Sequence, residues 1–335
     1  MSKGMPSTFP VPPCTSYPSG ESLMARFRRA VASAGGAESI AGTSVEGRPL
    51  VRFDLGTRGR PVIVMTALMH GIEVIGSLAL LDVLETLTDP TLPTMQRLRS
   101  EAHLVVLPVV NPDAFSVNME RLARGERAWQ RCNGHGVDLN RNFPRLTTKR
   151  LYHPFSGSRF KFSPHYLGPH ALSEPESRAI FQVAMETRPV LSLAFHSFGN
   201  LLLYPWAYTQ RQNARAVEYR GLGHVMTEAL PRHPYRVRQA GELYAVLGDM
   251  DDWFDAEFGT LAFTIEVGRP DVGLRDGRRM WDPFRWMNPS RVRQTVENLT
   301  PGVLALTSSA LGIARGGALT RTPRRAIRAL ELAAK

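Results

Sequence analysis

Cysteine is almost missing: Cys14 and Cys132 are the two in 335 residues. They make neither a disulfide framework nor a cysteine-based metal site, and nothing marks Cys132 as a nucleophile. No apolar run of about 18 residues occurs, so no helical membrane span is expected. The N-terminal stretch MSKGMPSTFPVPPCTSYPSGES carries a single Lys and no apolar core. A secretory signal is therefore not expected, and the cytoplasm is the expected compartment. Internal repeats and low-complexity blocks are absent as well. Acidic residues are outnumbered, giving a net charge of +11. Part of the excess is local, because Arg315, Arg321, Arg324, Arg325, Arg328 and Lys335 face Glu331 alone. No basic motif interleaved with aromatics accompanies it, so a nucleic-acid partner is not expected.

What is present is a soluble composition, 43% hydrophobic and 21% charged, with ample material for a core. The stretch PVIVMTALMHGIE, residues 61–73, organises the rest. Its apolar run from Val62 to Met65 suits a strand buried on both faces, and a helical period begins after Glu73. His70 and Glu73 stand at the carboxyl end of that strand, the edge where open α/β sheets place their ligands. An imidazole and a carboxylate converging there are two of the three protein ligands a catalytic zinc needs.

Downstream, the pattern repeats. Val190 to Phe195 reads as a buried strand with His196 at its end, and Leu261 to Ile265 as another ending in Glu266. A strand over 101–110 and one over Leu201–Tyr204 complete the apolar runs. Helices are expected over Glu21–Ala34, after Glu73, from a Ser173–Glu176 capping box to about Arg188, near Asn213–Leu230, and from Pro289 onwards. Gly56-Thr-Arg-Gly59 is expected to join the strand Leu50–Leu55 to that at Val62 as a hairpin. Asn111-Pro112-Asp113 reads as a turn, and residues 144–172 as a long ordered loop. Strands alternating with helices at this spacing predict an α/β fold, a single domain with a mixed parallel and antiparallel twisted sheet and helices on both faces. In the basic loop 120–145, Asn140 beside Arg141 suits bidentate capture of a carboxylate.

Five ordered pieces, HGIE at 70–73, NPD at 111–113, GVDLNRNFP at 136–144, His196 before LLLYP, and FTIEVG at 263–268, make the chain resemble the zinc metallocarboxypeptidases of the carboxypeptidase A type. The resemblance covers roughly residues 40–310 and implies a zinc-exopeptidase-like fold. It implies one Zn2+ held by His70, Glu73 and His196, the known ligand set of carboxypeptidase A. It implies Glu266 as general base and Arg131, with Arg127 as competitor, as the cation stabilising an oxyanion. Asn140 and Arg141 match the pair holding a substrate's terminal carboxylate, and Tyr244 matches a Tyr that closes over bound substrate. Asp251 falls where the family's side-chain pocket is chosen and would suit a Lys-, Arg- or diamino-acid terminus, though Asp249 and Asp252 lie beside it. The implied division is an N-terminal segment plus helix over 1–40, a catalytic domain over 41–310 and a basic tail over 311–335. The expected partner is a peptide with a free C-terminal carboxylate. Two rivals stay open: an aspartoacylase-like N-acyl-amino-acid deacylase, and a non-catalytic binding protein on the same scaffold.

Overall fold

The computed structural model describes residues 17–149, 153–270 and 282–315. Helix α1 (Gly20–Ser33) is capped by the Ser19 hydroxyl, which accepts from Ser22 N, and buries a stripe of Leu23, Phe27, Ala30 and Val31. An antiparallel pair, β1 (Ala37–Thr43) and β2 (Pro49–Gly56), follows. Next come β3 (Val62–Ala67), α2 (Val74–Thr88), α3 (Pro93–Glu101), β4 (His103–Leu107) and α4 (Pro112–Ala123). The second half supplies α5 (Pro175–Thr187), β5 (Leu191–His196), β6 (Leu201–Tyr204), α6 (Ala216–Glu228) and β7 (Arg236–Gln239). It continues with α7 (Met250–Phe258), β8 (Leu261–Glu266), α8 (Pro283–Met287) and α9 (Val292–Arg315). Cys14 and the basic stretch 316–335 lie outside the described residues.

All eight strands form one sheet in the order β1-β2-β4-β3-β5-β8-β6-β7. Its centre, β4-β3-β5-β8, is parallel, while β2 and β6 run antiparallel to their inner neighbours, so the sheet is mixed. Along each central strand successive residues face opposite core layers. Ile63, Met65, Leu104, Val106, Leu191, Leu193, Phe263 and Ile265 enter one core layer, with α1, α2 and α9. Val64, Val105, Ala194 and Ala262 enter the other, with α5 and α7. A strand covered on both faces is apolar at nearly every position, and β3 and β5 read as near-continuous hydrophobic runs broken by Thr66 and Ser192 before the terminal His196.

Three local expectations are corrected. The β2–β3 hairpin does not form, because β4 lies between the two strands. Gly56 does turn the chain at a positive φ of 81°, but the turn serves the start of β4: a Cβ there would lie 2.3 Å from Ala102 O. Thr57 N also bonds Ala102 O at 2.9 Å, so β4 fills the slot a hairpin would have closed. The Ser173–Glu176 capping box is absent too. Glu174 is the N-cap of α5 without a side-chain cap bond, since Ser173 Oγ and the Glu174 carboxylate are drawn to Asn142, Asn133 and His135. Asn111-Pro112-Asp113 is the start of α4, where Asn111 Oδ1 accepts from Ala114 N at 3.2 Å.

Candidate metal centre and active site

The parallel strands β3, β5 and β8 deliver their carboxyl ends to one edge, and the register pairs His196 directly with Glu266. Just past β3, Leu68 takes a positive φ of 51°, and the chain turns to present His70 and Glu73 before α2 begins. His70 Nδ1 lies 2.9 Å from Glu73 Oε1, and His196 Nδ1 lies 2.9 Å from Glu73 Oε2. The two Nδ1 atoms are 3.2 Å apart. All three side chains are buried, and their ligand atoms lie within 4.8 Å of one another. That nitrogen–nitrogen spacing is near the roughly 3.3 Å of two ligands each about 2 Å from one tetrahedral ion. The donor set of two imidazoles and one carboxylate fits zinc.

A carboxylate behind the cluster fixes its chemistry. Asp138, fully buried, accepts from His70 Nε2 at 3.0 Å, so the lone pair of Nδ1 is turned towards Glu73 and His196. Burial alone would raise the carboxyl of Asp138, but Arg131, Arg141 and His70 outweigh it and hold it well below its ordinary range. Glu73 is likewise lowered, burial being overcome by the two imidazoles. Sequence reasoning passes over Asp138. Its signal is a lone acidic residue between Val137 and Leu139, a position too apolar for an unpaired charge.

Arg131 bridges the two carboxylates, Nε and Nη2 each 3.2 Å from Asp138 Oδ2 and Nη1 3.3 Å from Glu73 Oε1. Arg127 is exposed and no part of the cavity wall, so of the two competing arginines only Arg131 reaches the site. Glu266 opens on the cavity while its Oε2 is buried without a hydrogen-bond partner. Burial first, and then the charge of Glu73, pushes its carboxyl up to about 7.

The cavity itself holds about 520 Å³. Arg141 and Asn140 line it, but both are engaged within the chain. Arg141 donates Nε and Nη2 to Phe155 O at 3.2 and 2.9 Å, and Asn140 donates to Asp249 Oδ2 and accepts from Met250 N. Asn140 thus ties this loop to the start of α7. Gly248, at φ 66° with its Cβ position 2.2 Å from Arg141 O, allows the close approach. Tyr244 stacks on His153 with ring centres 4.9 Å apart and meets Phe155 edge-on at 5.6 Å.

Three clustered carboxylates separate cleanly. Asp249 caps α7 by accepting from Asp251 N and Asp252 N, and Asp252 accepts from Ala207 N and Tyr208 N. Asp251 accepts from Thr264 Oγ1 at 2.7 Å through Oδ2, which leaves Oδ1 buried without a partner. Leu201, Leu203, Ala207, Leu243 and Val246 make the surrounding cavity wall largely apolar. Burial, and then Asp249, raises the Asp251 carboxyl well above its ordinary value. Cys132 is no part of this chemistry: burial pushes its thiol up to about 12, and it donates to Pro164 O.

Known proteins carry the same framework. The chain is 27% identical over 306 residues to a carboxypeptidase B of Helicoverpa zea, covering 84% of this chain and 66% of that protein. It is 26% identical over 246 residues to a carboxypeptidase B of Astacus astacus, covering 68% and 77%. The crystal structure of carboxypeptidase A from Helicoverpa armigera superposes with a TM-score of 0.71 at 24% identity, covering 89% and 75%. The chain thus spans about two thirds of the length of the first relative and about three quarters of the other two. No helix among the described residues is long and apolar enough to cross a membrane. Residues 24–289, well over half of the chain, match the sequence profile of zinc carboxypeptidases. With that match laid over a buried His-Glu-His cluster suited to zinc, the chain belongs to the zinc carboxypeptidase family.

Proposed function

We propose that the protein hydrolyses the C-terminal peptide bond of peptides, with a preference for a terminal residue bearing a cationic side chain. The observation that carries this reading is the cavity's pairing of a zinc-suited cluster with the buried, unpartnered Oδ1 of Asp251. A carboxylate oxygen in an apolar wall costs free energy until a donor meets it, and a Lys, Arg or diamino-acid terminus brings one.

His70, Glu73 and His196 would hold a zinc ion, which would supply a Lewis acid and lower the pKa of water towards neutrality. Glu266, unpaired and raised towards neutrality, takes a proton from the attacking water. As the carbon–nitrogen bond breaks, it passes that proton to the departing amine. Arg131 stands beside Glu73 and donates to the oxyanion of the tetrahedral intermediate through Nη1. The terminal carboxylate is held by Arg141, whose bonds to Phe155 O are exchanged for bonds to substrate, with Asn140 fixing the loop that carries it. Tyr244 closes the open side.

The test is to compare an acetylated dipeptide ending in Lys, its C-terminal amide, and acetyl-lysine. Release of Lys from the first alone is the expected result. Equal cleavage of the amide would remove the carboxylate requirement, and cleavage of acetyl-lysine alone would establish a deacylase instead.

A further inference from the structure

Asp138 has a partner that the scheme above does not use. His165, in the loop before α5, places Nδ1 3.2 Å from Asp138 Oδ2. The other contacts of that carboxylate are all donors: Arg131 on the same oxygen, and His70 Nε2 and Asn140 N on Oδ1. An ionised carboxylate only accepts, so Nδ1 of His165 carries the proton, and a neutral imidazole then has its lone pair on Nε2. Burial, helped by Arg131 and Arg141, outweighs Asp138 and lowers the ring's pKa, in keeping with the neutral form. Phe155 packs edge-on against the ring at 5.3 Å, and Ser158 N holds the backbone through His165 O at 2.8 Å. Among the described residues no hydrogen bond to Nε2 is found, and His165 forms part of the cavity wall beside Arg131.

Resting on the carboxypeptidase reading, we propose that His165 is a substrate-positioning residue whose Nε2 accepts a hydrogen bond from a peptide N–H on the amino side of the scissile bond. A peptide entering the cavity loses water from its backbone N–H groups, and each needs a replacement acceptor. The tautomer imposed by Asp138 supplies one without reorganisation. A simple N-acyl amino acid has no such N–H, so this contact favours peptides over the deacylase's substrates.

The experiment pairs two substrates with two variants of the zinc-loaded enzyme. Acetyl-Ala-Lys offers the upstream N–H, and acetyl-(N-methyl)Ala-Lys lacks it. In the wild type, kcat/KM is expected to favour the first by about three- to tenfold, the worth of one neutral hydrogen bond. In His165→Asn, whose amide nitrogen can still donate to Asp138 while the Nε2 acceptor is gone, that ratio should collapse towards one. His165→Gln, which keeps an acceptor nearer the position of Nε2, should restore part of the ratio. If His165→Asn lowers both substrates equally and leaves the ratio unmoved, Nε2 does not meet the upstream N–H and the proposal is wrong. Wild-type enzyme that cleaves neither peptide but does cleave acetyl-lysine sinks the carboxypeptidase reading, and this contact with it.

Discussion

The two ends of the cavity treat the same functional group in opposite ways. At the metal end, Glu73 and Asp138 are buried among imidazoles and guanidiniums, which hold both carboxyls low. At the pocket end, Asp251 and Asp252 are as deeply buried, no cation among the described residues pairs with them, and burial followed by the charge of Asp249 drives both up. The protein therefore supplies its own positive groups where the ion and the developing oxyanion belong. Where the proposed reading places the substrate's side chain, the described residues supply none. Burial of a charge is tolerated in the first place by pairing and in the second by keeping a proton until a cation arrives.

The comparison breaks most completely at the metal end. His196→Ala removes one of three ligands, and the expected outcome is loss of bound zinc with loss of turnover; undiminished zinc content would place the ion elsewhere. Glu266→Gln should retain zinc, since Glu266 is not among the three clustered ligand residues, while turnover falls by about 10²–10⁴-fold. Steady-state kinetics on the metal-loaded variant decides it, and unchanged kcat would exclude Glu266 from proton transfer. The pocket end is tested by Asp251→Ala. Losing one partner of a buried charge pair costs roughly 2 kcal/mol or more, about 30-fold. The ratio of kcat/KM for Lys- over Leu-terminated peptides should drop by at least that factor, and an unmoved ratio would put the specificity pocket elsewhere.

How much of this contrast is legible in the sequence depends on the length scale of its cause. His70, Glu73, His196 and Glu266 can be read because each polar residue ends an apolar run, and parallel strands share an edge. Which of Asp249, Asp251 and Asp252, all on the cavity wall, keeps an unpartnered oxygen cannot be read, because it turns on where α7 starts, and Asn140, more than a hundred residues earlier, bonds that start. The missed β2–β3 arrangement has the same origin: turn residues report a reversal, not which strand fills the gap. Helix α3 and strands β1 and β7 carry no clean apolar period and pass unnoticed, as does the short α7 despite Met250, Trp253, Phe254 and Phe258 at helical spacing. Asp138 leaves a faint trace as a lone acid between Val137 and Leu139, whereas His165 becomes visible only when the 153–172 loop is seen against Asp138.

The smallest effect is a stability difference, and its sign follows from the pocket end alone. Asp251 has a folded-state pKa raised above its unfolded value, so the unfolded chain gives up this proton first as pH rises. Whatever the group contributes is fully present below about pH 4, the unfolded pKa, and is lost as pH climbs through the folded value. Asp251→Asn removes the titration and keeps an oxygen for Thr264 Oγ1. The variant should match wild type near pH 4 and then become the more stable of the two, by a few degrees in Tm at neutral pH. Thermal denaturation of the zinc-loaded proteins without substrate, across pH 4–8, measures this. A lysine-like competitive ligand should narrow the gap, because it gives the wild-type carboxylate the cation that the fold withholds. A variant less stable than wild type at every pH would mean that Asp251 is paired in the free protein, and the two ends of the cavity would then be alike.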